Sequence, residues 1–216
     1  LVGTLEVSGD YRIQSRYSDG TYGSSSGTLV MQNSADHVKV SGDFYPDGRG
    51  YVRRYIHEDG SPAGENDYYD YDYDYDILSA GTLEIAGSFY QQDGDHYYYS
   101  SDGFKATGTH RVILTGKGDR FVEFADEESG FNELELTQDP QKYYFSRIPC
   151  WNKVYRNGTE LQASVFGEYA VRIKDTSSGK VAVITGYNGS SHTVTIPSSF
   201  GGYPVTEIGE RAFKNG

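Results

Sequence analysis

Apolar and polar residues alternate in short runs through much of this chain. The pairs Leu5/Val7, Leu29/Met31, Val38/Val40, Leu83/Ile85, Val112/Leu114, Val122/Phe124 and Leu134/Leu136 each lie two positions apart, with Glu6, Lys39, Glu84, Glu123, Glu133 and Glu135 between or beside them. A period of two places each apolar pair on the buried face of a strand and the charged residues on the solvent face. The runs also resemble one another. "GTLEVSGDY" at 3–11 returns as "GTLEIAGSF" at 81–89, an offset of 78. A split copy, "GTLVM" at 27–31 and "VKVSGDF" at 38–44, lies between them, and a looser relative, "GTHRVILTG", spans 108–116. "FVEF" at 121–124 and "NELELT" at 132–137 are further strand-like pieces.

Short strands with one apolar face are not stable alone and must stack or pair. The glycine after four of them (Gly9, Gly42, Gly87, Gly116) suits a sharp corner or a bulge. The pattern predicts an all-β fold. A parallel β-solenoid, right-handed β-helix-like, with each copy one coil, fits the recurrence of the same motif in the same chain direction. An antiparallel β-sandwich of hairpins is the alternative. The uneven spacing of the copies requires inserts that bulge out as loops.

The pattern changes after the repeats. "YAVRIKD" at 169–175 and "KVAVITGY" at 180–187 flank the turn-forming "TSSG" and predict a β-hairpin. The organisation read from the chain is a repetitive domain at 1–157, a linker at 158–167 and a second region at 168–216. Within the last, "GERAFKN" fits a helical turn.

The C-terminal segment "VTIPSSFGGYPVTEIGERAFKNG", 194–216, resembles the opening of a BspA-type leucine-rich repeat array. The resemblance rests on Val194-Thr195-Ile196-Pro197, Val205-Thr206-Glu207-Ile208-Gly209 and Ala212-Phe213, with one repeat where that family has many. The region from 3 to about 155 resembles repeat regions of large bacterial surface proteins. Together these resemblances imply a secreted or wall-attached, non-enzymatic module, and they imply that the stretch between Phe44 and Gly81 is an enlarged loop.

Composition sharpens this picture in three respects. Only 36% of the 216 residues are hydrophobic, while Gly (27) and Tyr (21) are abundant, which favours strands and turns over helices. The net charge is −12, and Glu65, Asp67, Asp70, Asp72, Asp74 and Asp76 supply half of it with no Lys or Arg among them. Such a field repels nucleic-acid phosphates and anionic membranes. One cysteine, Cys150, allows no intrachain disulfide. No apolar run long enough for a transmembrane helix occurs, so no membrane insertion is expected. The chain opens on Leu-Val rather than Met and reads as a fragment or trimmed form.

Candidate chemistry is sparse. "GSSSG" at 23–27 matches G-x-S-x-G in form only, because no hydrophobic strand precedes it and no helix follows. The histidines show no metal-ligand spacing, and Cys150 beside Trp151 reads as a packed residue. No catalytic residue is assigned. The strict alternation of Tyr and Asp from Tyr69 to Asp76 is the one unusual motif. As a strand it would carry its Asp side chains about 7 Å apart on one face. Asp70, Asp72, Asp74 and Asp76 are the candidate metal ligands and calcium the candidate ion, although Tyr75 stands where a calcium loop needs Gly. Tyr69, Tyr71, Tyr73 and Tyr75, with Tyr97, Tyr98 and Tyr99 of a second Tyr-rich stretch, are the candidate ligand-binding residues, because tyrosine rings stack on sugars and pack at protein interfaces. A solvated loop is the third reading of the run.

The expected function is an extracellular or cell-wall-attached module for adhesion, ligand binding or structural presentation, with a host or neighbouring-cell protein or glycan as partner. It predicts exposed Tyr clusters and no buried, perturbed carboxylates. A carbohydrate-active β-helix enzyme of the lyase or hydrolase type would instead show two or more carboxylates, or calcium, in a cleft on one coil face, with Glu6 and Glu84 stacked at equivalent positions. A passive stalk would be featureless.

Overall fold

The computed structural model describes residues 2–57, 59, 61–62, 70–92, 103–125, 128–162 and 166–214, with only the backbone of 53–55, 70–73 and 151 described. Among the described residues the chain is almost entirely β. The strands in chain order are β1 (Thr4–Val7), β2 (Tyr11–Arg12), β3 (Ser15–Arg16), β4 (Tyr22–Gly23), β5 (His37–Val40), β6 (Phe44–Tyr45), β7 (Val52–Ile56), β8 (Asp70–Asp74), β9 (Thr82–Ile85) and β10 (Phe89–Tyr90). There follow β11 (Arg111–Leu114), β12 (Arg120–Glu123), β13 (Phe131–Leu136), β14 (Tyr143–Phe145), β15 (Cys150–Arg156), β16 (Thr159–Leu161), β17 (Tyr169–Thr176), β18 (Gly179–Tyr187), β19 (Ser199–Phe200) and β20 (Tyr203–Ile208).

Successive repeat strands alternate between two sheets. One runs β1-β5-β9-β11-β13-β15-β16 and the other β14-β12-β10-β6-β2. Every pairing within them is parallel except β15 with β16. These strands therefore do not pair as the hairpins of an antiparallel sandwich. Thr4, His37, Thr82, Arg111 and Glu133 stand in one register column of the first sheet. Tyr11, Phe44, Phe89, Val122 and Phe145 form a column of the second. "GTLVM" contributes no full strand. Met31 instead bridges Leu78 in parallel, Leu78 bridges Ala106, and Lys105 bridges Gly130, so a third line of parallel contacts runs beside the two sheets.

The core follows from the alternation. Val38, Val40, Leu83, Ile85, Val112, Leu114, Leu134 and Leu136 point inward from the first sheet, Phe44, Phe89, Val122 and Phe145 from the second, and Met31, Leu78 and Ala106 from the third line. Burying each of the larger of these side chains stabilises the fold by about 1.5–3 kcal/mol. Phe44 and Phe89, one turn apart, stack with centroids 5.8 Å apart, and Phe104 meets both edge-on.

Corners between the sheets are sealed by side chains that serve the backbone of the next turn. Asp10 Oδ1 accepts from the amide of Asp43 (2.9 Å), Asp43 Oδ1 from that of Ser88 (2.7 Å) and Ser88 Oγ from that of Phe121 (3.1 Å). The Gly–Asp and Gly–Ser steps of the repeat are thus parts of one staircase. The amide of Gly42 donates to Gly9 O and that of Gly87 to Gly42 O. The turns leave no room for a side chain there, since a Cβ on Gly87 would lie 2.3 Å from Gly42 O, whereas one on Gly9 would meet nothing within 4 Å.

Two antiparallel ribbons leave this stack, β3–β4 and β7–β8. The second contains the Tyr-Asp run, with Arg54 opposite Asp72 and Ile56 opposite Asp70 in register. Within the stretch read as a linker, β16 pairs with β15, Leu161 packs against the core and Phe166 is buried against Phe145. The predicted hairpin forms as β17 and β18, joined by Ser177 and Ser178. β20 adds parallel to β18, and β19 returns through Gly201 and Gly202 to pair antiparallel with β20. Both glycines have positive φ (55° and 83°), as a two-residue hairpin turn requires. Residues 210–214 form turns, with Arg211 at φ 65°. This four-stranded sheet packs on the second parallel sheet through Tyr203 on Phe121 (5.5 Å) and Phe200 on Tyr144 (5.9 Å).

Gly87→Ala should lower stability by about 1–3 kcal/mol, the cost of overpacking, and Gly9→Ala by much less. Urea unfolding midpoints of the two variants test this. Equal effects would show that the corner column does not set the spacing of the turns.

Candidate functional site

The Tyr-Asp run falls only partly within the described residues. Tyr69, Tyr97, Tyr98 and Tyr99 lie outside them, and Tyr71, Tyr73, Asp70 and Asp72 are placed by backbone alone. The visible end of the run is Asp74-Tyr75-Asp76, where the ribbon rejoins the stack beside the third line of contacts. Tyr75 is 56% exposed. Its ring lies 5.5 Å from that of Tyr51, and the Arg49 guanidinium sits 5.9 Å from the Tyr51 centroid on the far strand's approach. Tyr75 borders a cavity of about 400 Å³ together with Gly50, Asp76, Lys105, Thr107 and Glu128.

These residues arrive from different turns. Asp76 follows the ribbon, Lys105 and Thr107 flank Ala106 of the third line, and Glu128 precedes Gly130, the partner of Lys105. Thr107 Oγ1 donates to Asp76 Oδ1. Lys105 Nζ and Glu128 Oε2 pair at 3.2 Å, and both are largely solvated, so the pair is worth at most about 1 kcal/mol. An exposed ring thus stands over a wall of carboxylate, hydroxyl and ammonium groups. Such a wall can hydrogen-bond a polar ligand while the ring takes its apolar face.

Of the four candidate metal ligands, the side chains of Asp74 and Asp76 are described. Asp74 Oδ2 accepts from Gln32 Nε2 (3.1 Å), and Asp74 Oδ1 accepts from the amide of Asp76 (3.1 Å). Among the described residues no three His, Cys, Asp or Glu side chains come together as a metal would require. Cys150 is half-buried, with its thiol 3.0 Å from Asn132 O, and burial pushes its pKa up, as in a packed rather than reactive cysteine. His110 is fully buried with both ring nitrogens unpartnered, and it packs edge-on to Phe104. Burial holds its pKa down to about 4, so it is a neutral core aromatic.

The carboxylates are arranged otherwise than the sequence suggests. Glu6 and Glu84 are indeed equivalent, but Lys39 stands in register between them, 3.7 Å from Glu6, and His37 lies 2.7 Å from Glu84. Two carboxyls, Asp47 fully buried and Glu123 partly buried, are nonetheless perturbed, against the expectation for a binding module. Burial raises Asp47 to about 6, yet Gln14 Nε2 (2.5 Å) and the amide of Gln92 (2.6 Å) occupy its two oxygens. Asp47 therefore belongs to a structural ladder and is a poor acid or base. Burial raises Glu123 to about 7. The sequence places Glu123 on a solvent face, and it does point away from the core, but β17 crosses over it and the amide of Ile173 donates to its Oε1 (2.5 Å). No periodicity within residues 121–124 could reveal a strand supplied from position 173.

No family model, no curated protein and no solved structure matches this chain.

Glu123 makes stability depend on pH with a definite sign. Its folded pKa lies above the ordinary 4.5, so the folded chain holds a proton that the unfolded chain releases, and stability falls as pH rises from about 4.5 to 7. Arg172 and Lys180 temper the shift and Asp175 adds to it. Glu123→Gln should remove this loss, on the order of 2–3 kcal/mol, and so melt above the wild type at pH 8 but not at pH 4. Thermal melts at the two pH values decide it, and parallel curves would refute the assignment.

Proposed function

We propose that the two parallel sheets and the third line of bridges form a β-solenoid, and that this solenoid is a non-catalytic binding module of a bacterial surface protein. In this reading residues 1–157 are the solenoid domain, 158–167 join it to the next unit, and 168–216 hold a β-hairpin and the first unit of a BspA-type leucine-rich repeat. The parallel, in-register columns and the addition of β20 to β18 support that architecture. The observation that carries the function is the exposed Tyr75 ring over the cavity walled by Asp76, Thr107, Lys105 and Glu128. The ligand is a glycan or a protein of a host or neighbouring cell, and the module works extracellularly or attached to the cell wall.

The occupied oxygens of Asp47 and the neutralised row of Glu6, Lys39 and Glu84 speak against a carbohydrate-active enzyme. A glycan array probed with this chain tests the reading. For at least one retained glycan, Tyr75→Ser should weaken retention about tenfold, the worth of one lost aromatic contact, and extending the change to Tyr69, Tyr71 and Tyr73 should abolish retention of that glycan. Unchanged retention in the quadruple variant would remove the run from the binding surface, and no retention by the wild type would favour a passive stalk. Binding proceeds without a metal in this proposal. A calorimetric calcium titration should therefore give no heat, and a saturable heat lost in Asp74→Asn would restore the calcium site.

A further inference from the structure

A second cavity, of about 440 Å³, lies between the second parallel sheet and β17–β18, within the usual range of small-ligand pockets. Its floor is Glu123, its sides are Gln92, Phe124 and Thr185, and its outer wall is Arg172 to Asp175. We propose that this cleft is a saccharide-binding site in which Glu123 and Arg172 grip neighbouring hydroxyl groups. The site is separate from the Tyr75 cavity and does not depend on it.

Several features select this ligand class. Glu123 Oε1 is held by the amide of Ile173, which fixes the carboxyl in place and leaves Oε2 without a partner among the described residues. Arg172 is exposed at the cleft and forms no hydrogen bond or ion pair among them. The neighbouring Lys174 is occupied by Glu207 at 2.7 Å. One open acceptor, one open guanidinium and the side-chain Nε2 of Gln92, whose backbone amide is taken by Asp47 and whose Oε1 accepts from Gln14, form a donor and acceptor set that vicinal hydroxyls satisfy in pairs. Ile173 adds apolar surface for the carbon-bound hydrogens of a sugar ring.

Other occupants fit less well. Glu123 and Asp175 oppose an anion such as a phosphate, and Arg172 and Lys174 on the same wall oppose a cation. A peptide adding as a strand would need the outer edge of β17, and Glu123 already takes the central amide of that edge.

The test uses the full chain and three probes, cellotriose, maltotriose and chitotriose, in saturation-transfer NMR and chemical-shift titration. At least one trisaccharide should bind. Arg172→Ala, a change at an exposed side chain, should weaken it about tenfold, as should Glu123→Gln, which keeps an acceptor for the Ile173 amide. Tyr75→Ser should leave this affinity unchanged. Binding of none of the three, or full affinity in Arg172→Ala, overturns the proposal. Loss of binding in Tyr75→Ser with none in Arg172→Ala would also overturn it, while leaving the Tyr75 reading intact.

Discussion

The hydrogen-bonded spacing between successive parallel strands, close to 4.8 Å, is the constraint on which the rest of this structure depends. Parallel, in-register pairing brings equivalent residues of each turn to that distance, so every column must tolerate its own repetition. Inside, repetition favours packing, since phenylalanine stacks on phenylalanine at Phe44 and Phe89. At the corners it favours side chains that bond upward to the next backbone, which Asp10, Asp43 and Ser88 do in sequence. It also leaves Gly87 no space for a Cβ. The residues that read as a repeated motif are those that the spacing tests most severely.

On the outer face the same spacing makes charge patterning compulsory. Two carboxylates one turn apart repel by about 1 kcal/mol even in water, and by more near the protein surface. Glu6, Lys39 and Glu84 alternate in sign along their column, and Arg111 pairs with Glu135 further on. On the second sheet, Arg12 lies 3.6 Å over the Tyr45 ring and Tyr45 stacks on Tyr90 at 5.6 Å, so a cation and two rings occupy successive turns. The acidic Tyr-Asp run breaks this rule and lies outside the columns, in an antiparallel ribbon where Arg54 stands opposite Asp72. An insert escapes the repetition that the stack imposes.

This division explains what could be read from the chain. Strands whose partners are copies of themselves announce themselves by alternation, and Leu83/Ile85, Val112/Leu114 and Leu134/Leu136 lie in the predicted faces. "GTLVM" misleads because Leu29 and Met31 are inward on the third line, where each turn gives one bridge instead of a strand. The pairing of residues 159–161 with β15 and the contact of Phe166 with Phe145 leave no local sign in the sequence. Tyr75 was legible as an exposed aromatic, but the Lys105, Thr107 and Glu128 around it were not. They meet it only through the register of the turns.

Glu123 shows how a carboxyl can lose water where two sheets meet. On an open sheet face its carboxylate would be hydrated and its pKa ordinary. β17 removes water from one side and returns a single amide bond, which offsets only part of the desolvation. Packing elsewhere, Tyr203 on Phe121 and Thr185 Oγ1 donating to Ser146 O at 2.8 Å, must hold the two sheets together against that cost. Asp47, by contrast, has its two oxygens both satisfied by the ladder. The two carboxyls thus differ in both burial and partners, Asp47 being fully buried with both oxygens bonded and Glu123 only partly buried with one.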